Sequence, residues 1–354
     1  MTPANLGRSL QDLADSVDAP DVVLACSRDG HRTVATSGTA PESPSHPRQT
    51  LRYEIGSATK TFTGLLLAHL AEQRIVRLSD PVRAHLPLTA PPHRHRDAIT
   101  LLHLITHTSG LPRLPAGFYR QGLPNWRSNP YANYASDRLL GAFARRRPRR
   151  PPGRRWRYSN FGVALLGPAL GHTTATPFHR LLTDHLLAPL ALTGTTLQQG
   201  ATGGRREPAG GPAVHDAVGH LRDQRQRLPA FDAGGCYAAG AVRATPADLL
   251  SYLEAHLQPP PGPLGAALHA VREPRVRHRF GHHTLTWFQR PTPDGPVFFH
   301  GGATPGQEAF LGYAPDTGTA VVALATRRHH RAGRLGDIAY DLLATPGHPA
   351  LRGP

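Results

Sequence analysis

Lysine is almost missing from this chain: its 40 lysine and arginine residues include one lysine, Lys60. Cysteine is nearly as scarce. Cys26 and Cys236 stand in no metal-ligand spacing, which excludes a disulfide framework and leaves reduced structural thiols, or at most one bridge, as the expectation. No window holds the roughly 18 consecutive apolar residues of a membrane span, and residues 1–10 lack a basic segment followed by an apolar one. We therefore expect an unsecreted, cytoplasmic protein with no membrane partner. There is no Gly-x-Ser-x-Gly elbow, no His-Glu-x-x-His and no phosphate-cradling glycine loop, so α/β-hydrolase, zinc-protease and nucleotide chemistry each lack their usual residues. No cofactor and no metal is expected, although His278, His282, His283 and the pair His329-His330 invite the question.

What is present is a foldable composition, 39% hydrophobic and 18% charged over 354 residues, which is too apolar for a disordered chain. That length favours one large domain or two interleaved ones with room for a cleft. The formal charge of +16 is carried by arginine, and abundant Arg, Ala, Gly and Pro with almost no Lys is what a GC-rich coding sequence produces. The excess still creates a positive field that steers anions. A nucleic-acid partner is not expected, because the basic segments lack interleaved stacking aromatics.

Leu6, Leu10, Leu13 and Val17 recur at helical spacing. Residues 21–26 and 31–37 read as strands joined by the turn Arg28-Asp29-Gly30, and 51–55 as a short strand that leads to Ser57. The helix after Ser57 is apolar on most sides through Phe62, Leu65, Leu66, Leu67 and Leu70, as a helix buried between layers would be. Residues 100–256 turn helical and loop-rich, with Thr100 and Thr245 as N-caps and long loops expected over 191–232. Residues 283–289, 296–300, 308–313 and 319–325 read as strands, with a closing helix over 334–343. Strands at both ends around a helical middle predict one antiparallel sheet built from both termini, with an inserted helical lobe.

Gly56-Ser57-Ala58-Thr59-Lys60 puts a hydroxyl and an amine three residues apart at a helix start, where i and i+3 share a face. A serine hydroxyl needs a base to take its proton, and a lysine serves if burial and nearby cations lower its pKa. Ser-x-x-Lys alone is a weak pattern. Here the chain uses arginine for every other cation and keeps its one amine at this position, and arginine cannot deprotonate to act as a base.

Ser57-Ala58-Thr59-Lys60, Tyr158-Ser159-Asn160 and His300-Gly301-Gly302 occur in the order of the three active-site motifs of the penicillin-binding, serine β-lactamase-like superfamily. The chain resembles most its class C, esterase and D-aminopeptidase branch, as do Leu102-His103-Leu104-Ile105-Thr106-His107-Thr108-Ser109-Gly110-Leu111 and the run from Pro152-Gly153 through Trp156 to Gly162. The resemblance spans residues 21–343. It implies an α/β (α+β) fold of two lobes, residues 1–98 plus 266–354 forming the sheet lobe and 99–265 the inserted helical lobe. It further implies Ser57 as acylated nucleophile, Lys60 as its proton partner, Tyr158 as general base or shuttle, and Asn160 bonded to Lys60 or the substrate amide. Backbone N–H groups of Ser57 and Ala303 would form the oxyanion hole, with Gly301 and Gly302 letting the strand edge approach the substrate. The third motif departs from the lactamase pattern: His300 stands for lysine and Gly301 for a hydroxyl residue. That puts β-lactam hydrolysis in doubt, and His300, titrating near neutrality, would donate a hydrogen bond or assist proton transfer.

The function so read is a serine hydrolase or acyltransferase working through an acyl-Ser57 ester on a small-molecule ester or amide, esterase- or peptidase-like. A biosynthetic transacylase with an amine or alcohol acceptor and a non-catalytic binding protein that keeps the fold are the alternatives. The arginines of 145–157 read either as a solvated loop or as the recruiter of an anionic or carrier-bound acyl donor. Nothing in the sequence assigns an oligomeric state.

Overall fold

The computed structural model describes residues 3–197, 214–221, 226–278, 281–327 and 334–344. Two strands near the N-terminus, β1 (Val22–Arg28) and β2 (His31–Ser37), form a hairpin whose Asp29 and Gly30 both take positive φ, 50° and 81°. That geometry matches the right-handed twist of the flanking strands. Three short strands follow, β3 (Tyr53–Glu54), β4 (Thr196–Leu197) and β5 (Val242–Ala244), which pair as a small sheet in the order β3-β5-β4. The remaining strands are β6 (Val276–His278), β7 (Gly281–His283), β8 (Phe288–Thr292), β9 (Gly295–Ala303), β10 (Glu308–Ala314) and β11 (Thr319–Ala325). They join the first hairpin in one eight-stranded antiparallel sheet of order β2-β1-β11-β10-β9-β8-β7-β6. The first hairpin meets the end of the chain through β1 and β11, with Val22 opposite Ala325 and Arg28 opposite Thr319.

Alternation along the strands sorts the core into two halves. Val22, Leu24, Cys26, Val321 and Ala323 face a cluster completed by Leu6 and Leu10 of α1 (Pro3–Asp15) and by Leu335 and Leu342 of the closing helix Arg334–Ala344. Val23, Ala25, Leu311, Tyr313, Val322 and Leu324 face the other cluster, which α2 (Thr59–Glu72) and the helix Pro246–Leu257 fill. Every residue of α2 from Thr59 to Leu70 is buried, so the apolar girdle seen in the sequence belongs to a helix enclosed on all sides. Gly64 is required there, since a Cβ at this position would lie 1.9 Å from Thr286 Cγ2.

Both expected caps are in place. Thr245 Oγ1 accepts from Asp248 N–H at 3.2 Å, and Thr100 forms a reciprocal box with His103 in the place where glutamate is usual. The strand expected over 283–289 is instead two strands and a reversal. Thr284 N–H donates to Trp287 O at 3.0 Å, and Trp287 N–H donates to Thr284 Oγ1 at 3.1 Å. Leu285 and Trp287 are fully buried, so the hydrophobicity there belongs to a turn tucked into the core. The strand expected over 51–55 shortens to β3, and β6 was not foreseen. Of the loops expected over 191–232, residues 198–213 and 222–225 lie outside the described residues, as do His329 and His330.

Candidate active site

Ser57 sits in a single turn of 3-10 helix, Gly56–Ala58, that runs straight into α2. The turn interlocks with the end of β9. Gly56 has φ +48°, and a Cβ on it would meet the backbone of Ala303 at 2.6–2.7 Å; a Cβ on Gly302 would meet Ile55 O at 1.8 Å and Ala58 N at 2.9 Å. Only hydrogen atoms fit at this seam, which brings the Ser57 turn against the Ala303 backbone. A buried carboxylate fastens the same seam: Glu54 accepts from Thr304 Oγ1 at 2.7 Å and from Phe231 N–H at 2.6 Å, with Arg243 at 3.5 Å. Gly302→Ala should therefore cost about 1–3 kcal/mol of stability, because the clashing atoms are main chain and cannot swing away. Thermal unfolding together with the rate on a small ester would register both the strain and the displacement of Ser57.

Lys60 lies one helical turn on, only 1% exposed. Its Nζ donates to Ser57 Oγ at 3.0 Å and to Ala239 O at 2.8 Å. Burial pulls the amine down to about 7, with Cys236 opposing and the Arg113 charge assisting. The Tyr158 ring lies 5.1 Å from Lys60 Nζ, and its hydroxyl hydrogen-bonds Ser57. Burial pushes that phenol up to about 12, while the Ser57 hydrogen bond and Arg113 draw it down. The two shifts run in opposite senses: burial favours the protonated phenol of Tyr158 and the neutral amine of Lys60.

Asn160 opens the short helix Asn160–Ala164, capped by Ser159. It does not join Lys60; its Nδ2 donates to the Tyr131 hydroxyl at 3.2 Å, and its buried Oδ1 has no partner among the described residues. His300 is buried in β9, and its ring Nδ1 lies 2.7 Å from Gly301 O. A carbonyl only accepts, so Nδ1 carries the proton, and Nε2, without a partner among the described residues, presents a lone pair. Burial and the Lys60 charge hold this imidazole down to about 3, not near neutrality as the sequence had suggested. It is therefore a neutral group that can accept a hydrogen bond through Nε2. Gly301 and Ala303 alternate with it as exposed positions on the same strand.

Ser57, Lys60, Tyr158 and the end of β9 are thus drawn together by elements far apart in the chain, with Asn160 in the adjoining wall. Several neighbours escaped the sequence reading. His107, held at φ +60°, accepts the Ser159 N–H at 3.2 Å and packs its ring 4.4 Å from that of Tyr158. Its signal was its place inside the His107-Thr108-Ser109-Gly110-Leu111 segment. Tyr131, Ala239 and Glu54 had no such signal, since a main-chain carbonyl and a lone tyrosine or glutamate carry no pattern.

The beta-lactamase family profile matches residues 7–345. AmpH of Escherichia coli K12, a D-alanyl-D-alanine carboxypeptidase/endopeptidase, is 27% identical over 235 residues, which cover 65% of this chain and 55% of AmpH. The chain thus spans little more than half the length of that relative. A beta-lactamase of Pseudomonas fluorescens is 24% identical over 361 residues, covering 92% of this chain and 94% of its own. Among solved structures, a class C beta-lactamase from Rhodobacter sphaeroides superposes with a TM-score of 0.74 at 21% identity, over 96% of this chain and 97% of the other. With the fold matched nearly end to end and the family profile covering almost every residue, the chain belongs to the beta-lactamase family, within the penicillin-binding, serine β-lactamase-like superfamily.

Proposed function

We propose that this protein is a serine acyl enzyme in which Ser57 attacks an ester or amide carbonyl and Lys60 takes the Ser57 proton. The observation that carries the reading is the buried Lys60 amine, 3.0 Å from Ser57 Oγ and lowered to about 7, where an appreciable neutral fraction exists at physiological pH. Tyr158, hydrogen-bonded to Ser57 and protonated, relays a proton to the leaving group as the tetrahedral intermediate collapses. The backbone N–H groups of Ser57 and Ala303 receive the oxyanion, and Asn160 offers its unpaired Oδ1 to a substrate N–H. The acyl-Ser57 ester then passes to water or to an amine or alcohol. Intact-protein mass spectrometry after incubation with a panel of activated esters tests the reading: an adduct of acyl mass on Ser57 supports it, and no adduct from any ester overturns it. The released product identifies the acceptor.

Small esters are the substrates we assign ahead of penicillins. In β9 the position of the lactamase lysine is held by His300, uncharged near neutrality, and the position of the hydroxyl residue by Gly301. One missing charge-assisted hydrogen bond is worth about 1.5–3 kcal/mol, so penicillin turnover should trail that of a small ester by about ten- to a hundredfold or more. Parallel kcat/KM measurements decide it, and efficient penicillin turnover with no esterase activity is the contrary result. The arginines Arg145, Arg146, Arg147, Arg149, Arg150, Arg154, Arg155 and Arg157 are all exposed, which fits a donor that is anionic or carried by an acidic partner. Among the described residues no helix is long and apolar enough to cross a membrane.

A further inference from the structure

Arg113 stands outside the three motifs, two residues past Leu111, yet its main chain packs against the segment that carries Ser159 and Asn160. Its main chain is fixed against the helix that begins at Asn160: Phe161 N–H donates to Arg113 O at 3.1 Å, and Ser159 Oγ donates to Pro112 O at 2.7 Å. From this anchorage the exposed side chain lies close enough for its charge to act on Lys60, Tyr158 and Tyr131 together. Among the described residues the guanidinium has no carboxylate partner and donates no hydrogen bond.

Two further observations sharpen this. Among the described residues, those whose charge shifts Lys60 are Cys236 and Arg113, with no carboxylate among them. The third motif supplies no cation, since His300 is neutral near physiological pH and Gly301 has no side chain. An arginine kept beside a lysine whose charge is already suppressed works against that lysine's protonation. It also offers a planar fork of N–H donors suited to a carboxylate or phosphate. We propose that Arg113 is a specificity-determining residue that grips an anionic group of the substrate, so that the preferred ester or amide carries a carboxylate or phosphate reaching the wall formed by Arg113, Tyr131 and Tyr158. Substrate charge is thus read from the loop and helix side of the cleft rather than from the third motif on β9. This rests on the acyl-Ser57 reading.

The test compares wild type, Arg113→Gln and Arg113→Lys on two matched pairs of esters. In the first the charge lies on the acyl side, p-nitrophenyl hydrogen glutarate against p-nitrophenyl valerate. In the second it lies on the leaving group, 3-(butanoyloxy)benzoate against phenyl butanoate. Arg113→Gln should lower the ratio of anionic to neutral kcat/KM in at least one pair by about ten- to a hundredfold, mostly through KM, with Arg113→Lys between the two. The pair that responds locates the anion. If both esters of each pair change by the same factor, Arg113 acts only on the pKa values of Lys60 and Tyr158, and the proposal is overturned while the acyl-serine reading stands. No turnover of any ester by the wild type, with Ser57 unlabelled, removes both. Because the side chain is exposed, unchanged thermal unfolding of the variants is expected and excludes misfolding as the cause.

Discussion

Ser57→Ala should abolish covalent labelling, and Lys60→Arg should lose most activity although it keeps a positive charge. Groups that act as a unit are grossly non-additive, and loss of either member of such a pair costs about three orders of magnitude or more in rate. The arginine variant is the more telling of the two. A guanidinium restores the cation but cannot give up its proton near neutrality, and its fork cannot reproduce a single amine shared between Ser57 Oγ and Ala239 O. Retention of wild-type activity by Lys60→Arg would show that Lys60 is there for its charge and that another group activates the serine. Full labelling of the Ser57→Ala protein would discard the nucleophile itself.

The rate on a neutral ester should fall about tenfold for each pH unit below about 7, reaching about a hundredfold loss at pH 5. The sign follows from the direction of the Lys60 shift. Burial lowers the amine to about 7, so it is protonated and useless as a base below that value and free above it. Stability moves the same way with pH. An unfolded chain leaves this lysine near its ordinary 10.5, so between about 7 and 10.5 the unfolded state binds the extra proton and stability rises with pH. Below about 7 the full cost of burying the ammonium is felt. Lys60→Met should therefore unfold at a higher temperature than the wild type near pH 6 while being inactive. A pH profile that is flat from 5 to 8, or a Lys60→Met protein that melts no higher than the wild type at pH 6, would contradict the shift.

Much of the arrangement was legible in the residues because local patterns reported it. Asp29-Gly30 announced its turn through the need for positive φ, and Thr100 and Thr245 announced helix starts through their hydroxyls. Ser57 and Lys60 were visible because their spacing places them on one face, and because a chain so poor in lysine spends its one copy there. What stayed hidden depends on distance. The second partner of Lys60 is a carbonyl 179 residues along, and main-chain carbonyls have no signature in sequence. The protonation state of His300 was misjudged for a related reason: identity supplies the ordinary pKa, but depth of burial, which the fold alone determines, decided it. The 283–289 segment shows the ambiguity of short apolar runs, where Leu285 and Trp287 serve a buried reversal as readily as a strand.

The pairing of β1 with β11 has a consequence for biosynthesis. Val22 meets Ala325 about 300 residues later, so this contact must wait for almost the whole chain and carries the loop-closure cost that slows folding. At about 5–20 residues per second of ribosomal synthesis, the first hairpin exists for tens of seconds with one edge open. That edge is Val22-Val23-Leu24-Ala25-Cys26, uncharged and free of proline, the kind of segment that pairs with its own copies. Nascent chains should therefore be most prone to aggregate before the C-terminal strands emerge, and expression yield should depend on chaperone supply more than the stability of the finished protein would suggest.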